Sequence, residues 1–89
     1  MKKWDYILLE CSHGRHPSID SINGNPPTKI EADNVTIFGG RGKREPYLFE
    51  YLQVAGNEGW EVCGVSPTTQ MHGDLNYFCV ILKRAIELD

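Results

Sequence analysis

No run of apolar residues approaches the ~18–20 that a membrane-spanning helix needs. The opening MKKWDYILLE also lacks the long apolar stretch of a signal peptide. A membrane is therefore not expected among the partners, and the expected compartment is the cytoplasm. Cysteine is scarce: Cys11, Cys63 and Cys79 are odd in number, widely spaced and outside any C-x-x-C pattern. That excludes a disulfide framework, and Cys63 and Cys79, set among apolar residues, read as small hydrophobes in a reducing compartment. Basic charge is in deficit, with nine Lys and Arg against twelve Asp and Glu for a net charge of −3. This argues against polymeric nucleic acid as a partner, since such binding needs a basic footprint. Length is short as well: 89 residues form one domain, 1–89, and leave no room for a Rossmann domain or a TIM barrel. A domain of this size buries only roughly 60–65% of its unfolded surface and commonly needs disulfides, a metal or a second subunit. With disulfides excluded, self-association is the expected route.

What is present reads as strands around one helix. Trp4–Cys11 is rich in aromatic and branched residues, with Trp4, Tyr6 and Leu8 on one face and Asp5, Ile7 and Leu9 on the other. Apolar residues on both faces imply a central strand, or one whose second face meets a partner. Residues 12–44 form an irregular hairpin and loop insertion. Asn23-Gly24 is a strong hairpin signal after a short strand at Ser18–Ile22, and Pro26-Pro27 argues against a central strand beyond it. Asn34–Phe38 alternates as another short strand, and Gly39–Arg44 reads as a flexible basic loop. Glu45-Pro46 then opens a helix over residues 46–57, with Pro46 at the first helical position. Leu48, Phe49, Leu52, Ala55 and Gly56 form its apolar stripe, and Tyr47, Tyr51 and Val54 widen the arc to about 220°, against the somewhat over ~100° a core-facing helix needs. Glu50, Gln53 and Asn57 face outward. The widened side points either to tyrosines at the core rim or to an interface formed by Tyr47, Tyr51 and Val54. Asn57 or Gly59 takes the left-handed cap at the helix end. Trp60–Val65 and Leu75–Lys83 alternate as a closing antiparallel hairpin, with Trp60, Val62 and Gly64 on one face of the first strand and Glu61, Cys63 and Val65 on the other. The expected fold is α+β: a small antiparallel sheet of about four strands with one helix packed on one face, in β-β-α-β-β order.

The opening Lys2-Lys3-Trp4-Asp5-Tyr6, the helix exit Gly56-Asn57-Glu58-Gly59-Trp60-Glu61-Val62 and the closing Val80-Ile81-Leu82-Lys83-Arg84 together resemble the DUF4177 family of small bacterial and phage proteins. The resemblance covers roughly residues 2–11 and 45–84 and leaves the insertion outside it. It implies a compact α+β fold and no particular reaction. In the G-x-E-G-W-E motif, Gly56 is expected to allow close helix–sheet approach, Gly59 to make a backbone turn and Trp60 to plug the core.

Chemistry concentrates in one place. Arg41, Lys43 and Arg44 carry a third of the basic charge, within the glycine-rich stretch Gly39, Gly40 and Gly42 and just before a helix start. Backbone N–H groups in such a stretch form anion-binding nests, the arginines offer bidentate phosphate contacts, and Tyr47 can stack on a ring. The stretch is neither a Walker A loop nor a G-x-G-x-x-G fingerprint. Cys11-x-His13-x-x-His16, with His72 elsewhere, has metal-ligand residue types but no second cysteine pair, so no metal and no cofactor is expected. Cys11, Ser12 and His13 are chain neighbours that point opposite ways on a strand, and no G-x-S-x-G elbow is present. Glu58 and Glu61 flank Trp60 as an exposed pair. The chain is therefore expected to be no enzyme. It is expected to be an oligomeric small-ligand-binding module that holds an anion or nucleotide at Gly39–Arg44 and Tyr47. By analogy of size and chemistry, one form of this is a phage-type protein that sequesters a nucleotide signal. The alternative is a protein–protein interaction or structural module with no small-molecule ligand.

Overall fold

A strand with apolar residues on both faces belongs inside a sheet, and the first strand is found there. The computed structural model describes residues 2–32, 42–68 and 77–87. In chain order its elements are β1 (Lys2–Ser12), β2 (Ser18–Ile22), β3 (Ile30–Ala32), β4 (Gly42–Arg44), α1 (Leu48–Asn57), β5 (Glu61–Thr68) and β6 (Tyr77–Glu87). Four strands form an antiparallel sheet in the order β2-β1-β6-β5, and β3 pairs with β4 in a separate two-stranded ribbon. The described residues make an α+β fold with one helix on one face of the sheet.

Register sets the two faces of that sheet. Leu9 lies opposite Val80 and Ile22, and Cys11 lies opposite Phe78 and Ile19. Directly opposed residues point the same way, so these side chains share the face that α1 covers. Leu9, Cys11, Ile19, Ala55, Val80 and Leu82 are buried there, with Ile7, Ile22, Leu48, Tyr51, Leu52, Trp60 and Phe78 packed around them.

Asn23-Gly24 turns the chain as its residue types require. Both residues have positive φ, 51° and 84°, as a two-residue hairpin turn demands. The Asn23 side chain also accepts the Leu8 N–H at 2.8 Å. Beyond the turn only Asn25 bridges back to Ile22 before Pro26 and Pro27 end the pairing.

The chain end of α1 is a full Schellman cap. Gly59 N–H donates to the Gly56 carbonyl, Trp60 N–H donates to the Ala55 carbonyl, and Gly59 stands at φ 92°. Trp60 thereby folds back onto the core beside Ala55.

Several expectations are corrected. Gly42–Arg44 is a paired strand, not part of a flexible loop, and β3 is its partner despite the prolines upstream. Pro46 lies before the N-cap, Tyr47, because its carbonyl accepts the Ile19 N–H at 2.9 Å and the helix begins at Leu48. Phe49 is 53% exposed, outside the inward stripe. Gly56 is also exposed and faces open space, so it serves no close helix–sheet approach. A bulge between Val62 and Gly64 breaks the alternation of β5. Val62 and Val65 therefore share the helix side of the sheet, opposite Leu82 and Val80, and Cys63 is left exposed. The strand expected at Asn34–Phe38, the loop residues Gly39, Gly40 and Arg41, and His72 lie outside the described residues.

Candidate functional site

The N-terminus of α1 is tied to the sheet by backbone. Leu48 N–H donates to the Pro17 carbonyl at 2.7 Å, and Tyr47 bridges Ser18. This brings the β1–β2 turn, the end of β4 and the first helical turn together. Arg44 leaves β4 and forks onto Glu50, with Nη1 to Oε1 at 2.9 Å and Nη2 to Oε2 at 3.1 Å. The same Glu50 carboxylate accepts the Tyr47 N–H at 2.9 Å and so caps the helix start. The Arg44 hydrogen bonds, then the Tyr47 N–H, hold the Glu50 carboxyl below its ordinary range, and Glu50 in turn raises the Arg44 guanidinium. Glu50, expected to face outward, is thus half-buried and paired.

An aromatic patch stands on this support. The Arg44 guanidinium lies 3.8 Å from the centre of the Tyr47 ring. His16 packs 5.1 Å from Tyr47 on the side of the β1–β2 turn, and Phe49 lies 5.9 Å from Tyr47 and 6.2 Å from His16. Lys43 is exposed in β4. On the other side of Glu50 an open cleft of about 320 Å³ runs between α1 and the 22–28 segment, lined by Ile22, Pro27, Thr28, Pro46, Tyr51 and Val54. Of the expected site residues, the structure brings Arg44 and Tyr47 into contact, while Lys43, the exposed middle residue of β4, is the strand neighbour that alternates to the other side from Arg44. The structure spends the Arg44 fork on Glu50 rather than leaving it open. Gly42 is the half-buried first residue of β4. Of the expected interface residues, Tyr51 packs on the core, Val54 borders the cleft at 61% exposure, and Tyr47 belongs to the patch.

No spacing in the sequence signals His16 or Phe49 as neighbours of Tyr47, since the contact depends on the Pro17–Leu48 link. His13 lies 4.6 Å from the Phe78 ring. The buried Cys11 thiol is pushed up to about 12 by burial, then by Asp20 and Cys79, which makes it a poor ligand and a poor nucleophile. Cys11 and Cys79 lie on adjacent strands but on opposite faces, because Cys79 is opposite Glu10. Among the described residues, no group of three His, Cys, Asp or Glu side chains gathers to hold a metal ion. No helix is long and apolar enough to cross a membrane among those residues either.

The second notable surface is the sheet face away from α1. Along β1 it carries Trp4, Tyr6 and Leu8, 46%, 56% and 40% exposed. Opposite them on β6 stand Ala85, Lys83 and Ile81. The Lys83 ammonium lies 4.5 Å over the Trp4 ring and 3.7 Å from Glu61. Comparison with protein-family models, with curated proteins and with solved structures finds no match to this chain.

Proposed function

We propose that the chain is a non-catalytic binding module that takes a small anionic, ring-bearing molecule of the nucleotide class at the patch ahead of α1. The observation that carries this reading is the gathering of the His16, Tyr47 and Phe49 rings beside Arg44. Half-exposed rings next to a fixed cation suit a base stacked on one side and a phosphate held nearby. In this reading Arg44 holds Tyr47 in place, and the basic stretch that leads into it supplies the charge that meets phosphate. The resemblance to the DUF4177 family supplies no reaction that would compete with a binding role. A protein-interaction role is the second reading, and exposed Trp4, Tyr6 and Leu8 favour it.

Thermal denaturation against a panel of nucleoside mono-, di- and cyclic phosphates, with inorganic phosphate as control, tests the proposal. A bound ligand raises the midpoint progressively with its concentration. The rise is expected for at least one nucleotide and is expected to vanish in His16→Ala/Lys43→Ala. A midpoint unmoved by every nucleotide at millimolar concentration sinks the reading.

A further inference from the structure

We propose that the open face of the four-stranded sheet is a self-complementary surface on which a second copy of this chain packs face to face. The surface is separate from the patch ahead of α1, and the two proposals stand or fall independently. An antiparallel sheet with one solvated face normally shows polar side chains there. Here β1 presents Trp4, Tyr6 and Leu8 in succession, and β6 adds Ile81 and Ala85 at the same levels. These side chains adjoin one another across two hydrogen-bonded strands, so they form one patch rather than scattered surface hydrophobes.

The charges on this face say which partner fits. Leu8 and Ile81 are directly opposed at its middle. Two residues to one side, Tyr6 is opposed to Lys83, and two residues to the other side, Glu10 is opposed to Cys79. This face therefore carries a cation at the Tyr6 level, with Glu61 of β5 beside it, and an anion at the Glu10 level, at equal distances from the Leu8–Ile81 pair. A two-fold axis lying between two such faces and crossing the strands at the Leu8–Ile81 level brings each end onto the opposite end of the partner. Lys83 of each copy then stands over Glu10 of the other, one strand across, within reach of two long side chains at the usual ~10 Å sheet separation. The Lys83–Glu61 pair within one copy is loose and exposed, at 3.7 Å, and leaves Lys83 further N–H groups to donate. Such a contact is isologous and closes as a dimer. A partner of uniform charge meets like charge at one end or the other.

The area is of the right order. With strands ~4.8 Å apart and ~3.3 Å per residue, the face spans roughly 500–600 Å² in projection. Side-chain relief carries the accessible area toward the ~800 Å² per partner of a standard interface.

Light scattering coupled to size exclusion, with sedimentation across a concentration series, tests the proposal. The wild-type chain is expected to run at twice its monomer mass at tens of micromolar. Leu8→Glu, at an exposed position, is expected to run as a monomer with unchanged far-UV circular dichroism, and Tyr6→Glu serves if Leu8→Glu misfolds. Glu10→Lys is expected to weaken the dimer by roughly tenfold or more by opposing two lysines, and Glu10→Lys/Lys83→Glu is expected to restore it. A wild-type chain monomeric at every concentration overturns the proposal, and so does a dimer that survives both Leu8→Glu and Tyr6→Glu. Neither result bears on nucleotide binding by His16 and Lys43.

Discussion

Glu50 does two tasks with one carboxylate: it receives the Arg44 fork and it caps the Tyr47 N–H. Tyr47 itself makes no side-chain cap hydrogen bond, so this carboxylate is the polar anchor of the helix start. Its depressed pKa fixes the sign of a pH effect. A carboxyl whose folded pKa lies below its unfolded value stabilises the fold in full above the unfolded value of about 4.3 and loses that contribution as pH falls through the folded value. Replacing Glu50 by Gln is therefore expected to cost about 0.5–1 kcal/mol at neutral pH, a figure kept small because the side chains of the pair retain 21% and 35% exposure. The gap between wild type and variant is expected to close as pH falls below about 4. Urea titrations at a series of pH values measure it, and a gap of constant size down to the acid limit means the ion pair contributes nothing.

At the scale of elements, the helix exit shows what one motif assigns to two glycines. Gly59 stands at φ 92° at the Schellman position, where a side chain forces left-handed backbone. Gly56 lies inside the helix with nothing within 4 Å of an added methyl group. Gly59→Ala is expected to destabilise by about 1 kcal/mol, and Gly56→Ala to stabilise by about 0.5–1 kcal/mol. Denaturant midpoints of the two variants check both signs. The difference also marks how far the sequence could be read. The Asn23-Gly24 turn, the Ser18–Ile22 strand, the centrality of β1 and the role of Gly59 follow from local residue types and were legible. The β3–β4 ribbon was not, because a three-residue pairing carries too little periodicity to stand out. The Cys63 bulge was not, because alternation assumes one residue per partner. Periodicity puts Phe49 in the core because it counts apolar residues without knowing which the sheet reaches. At the candidate site, Tyr47 and the basic stretch were visible in sequence. The commitment of Arg44 to Glu50 and the arrival of His16 arise only once the Pro17–Leu48 link closes.

For the whole molecule, the short chain remains the governing constraint. Its buried core among the described residues comprises six side chains, and one face of its sheet is left to solvent with a tryptophan, a tyrosine and a leucine on it. The wide apolar arc of α1, by contrast, is partly accounted for within the chain, since Tyr51 packs on the core. Unmet apolar surface thus stands on the sheet as well as on the helix, where Phe49 and Val54 remain exposed. Cys79 reports on the sheet surface. It lies on the open face opposite Glu10, half-buried, with its thiol raised by burial and then by Glu10. In a face-to-face dimer it lies at the level of the partner's cation and loses access to solvent. With exposed Cys63 replaced by Ser, alkylation of Cys79 is expected to slow as protein concentration rises through the dimerisation range. Mass spectrometry of quenched samples follows the rate. In the Leu8→Glu background the rate is expected to be independent of concentration, while Cys11, buried on the other face, stays unreacted until the chain unfolds. A Cys79 rate indifferent to concentration in the wild-type face leaves that face without a partner copy.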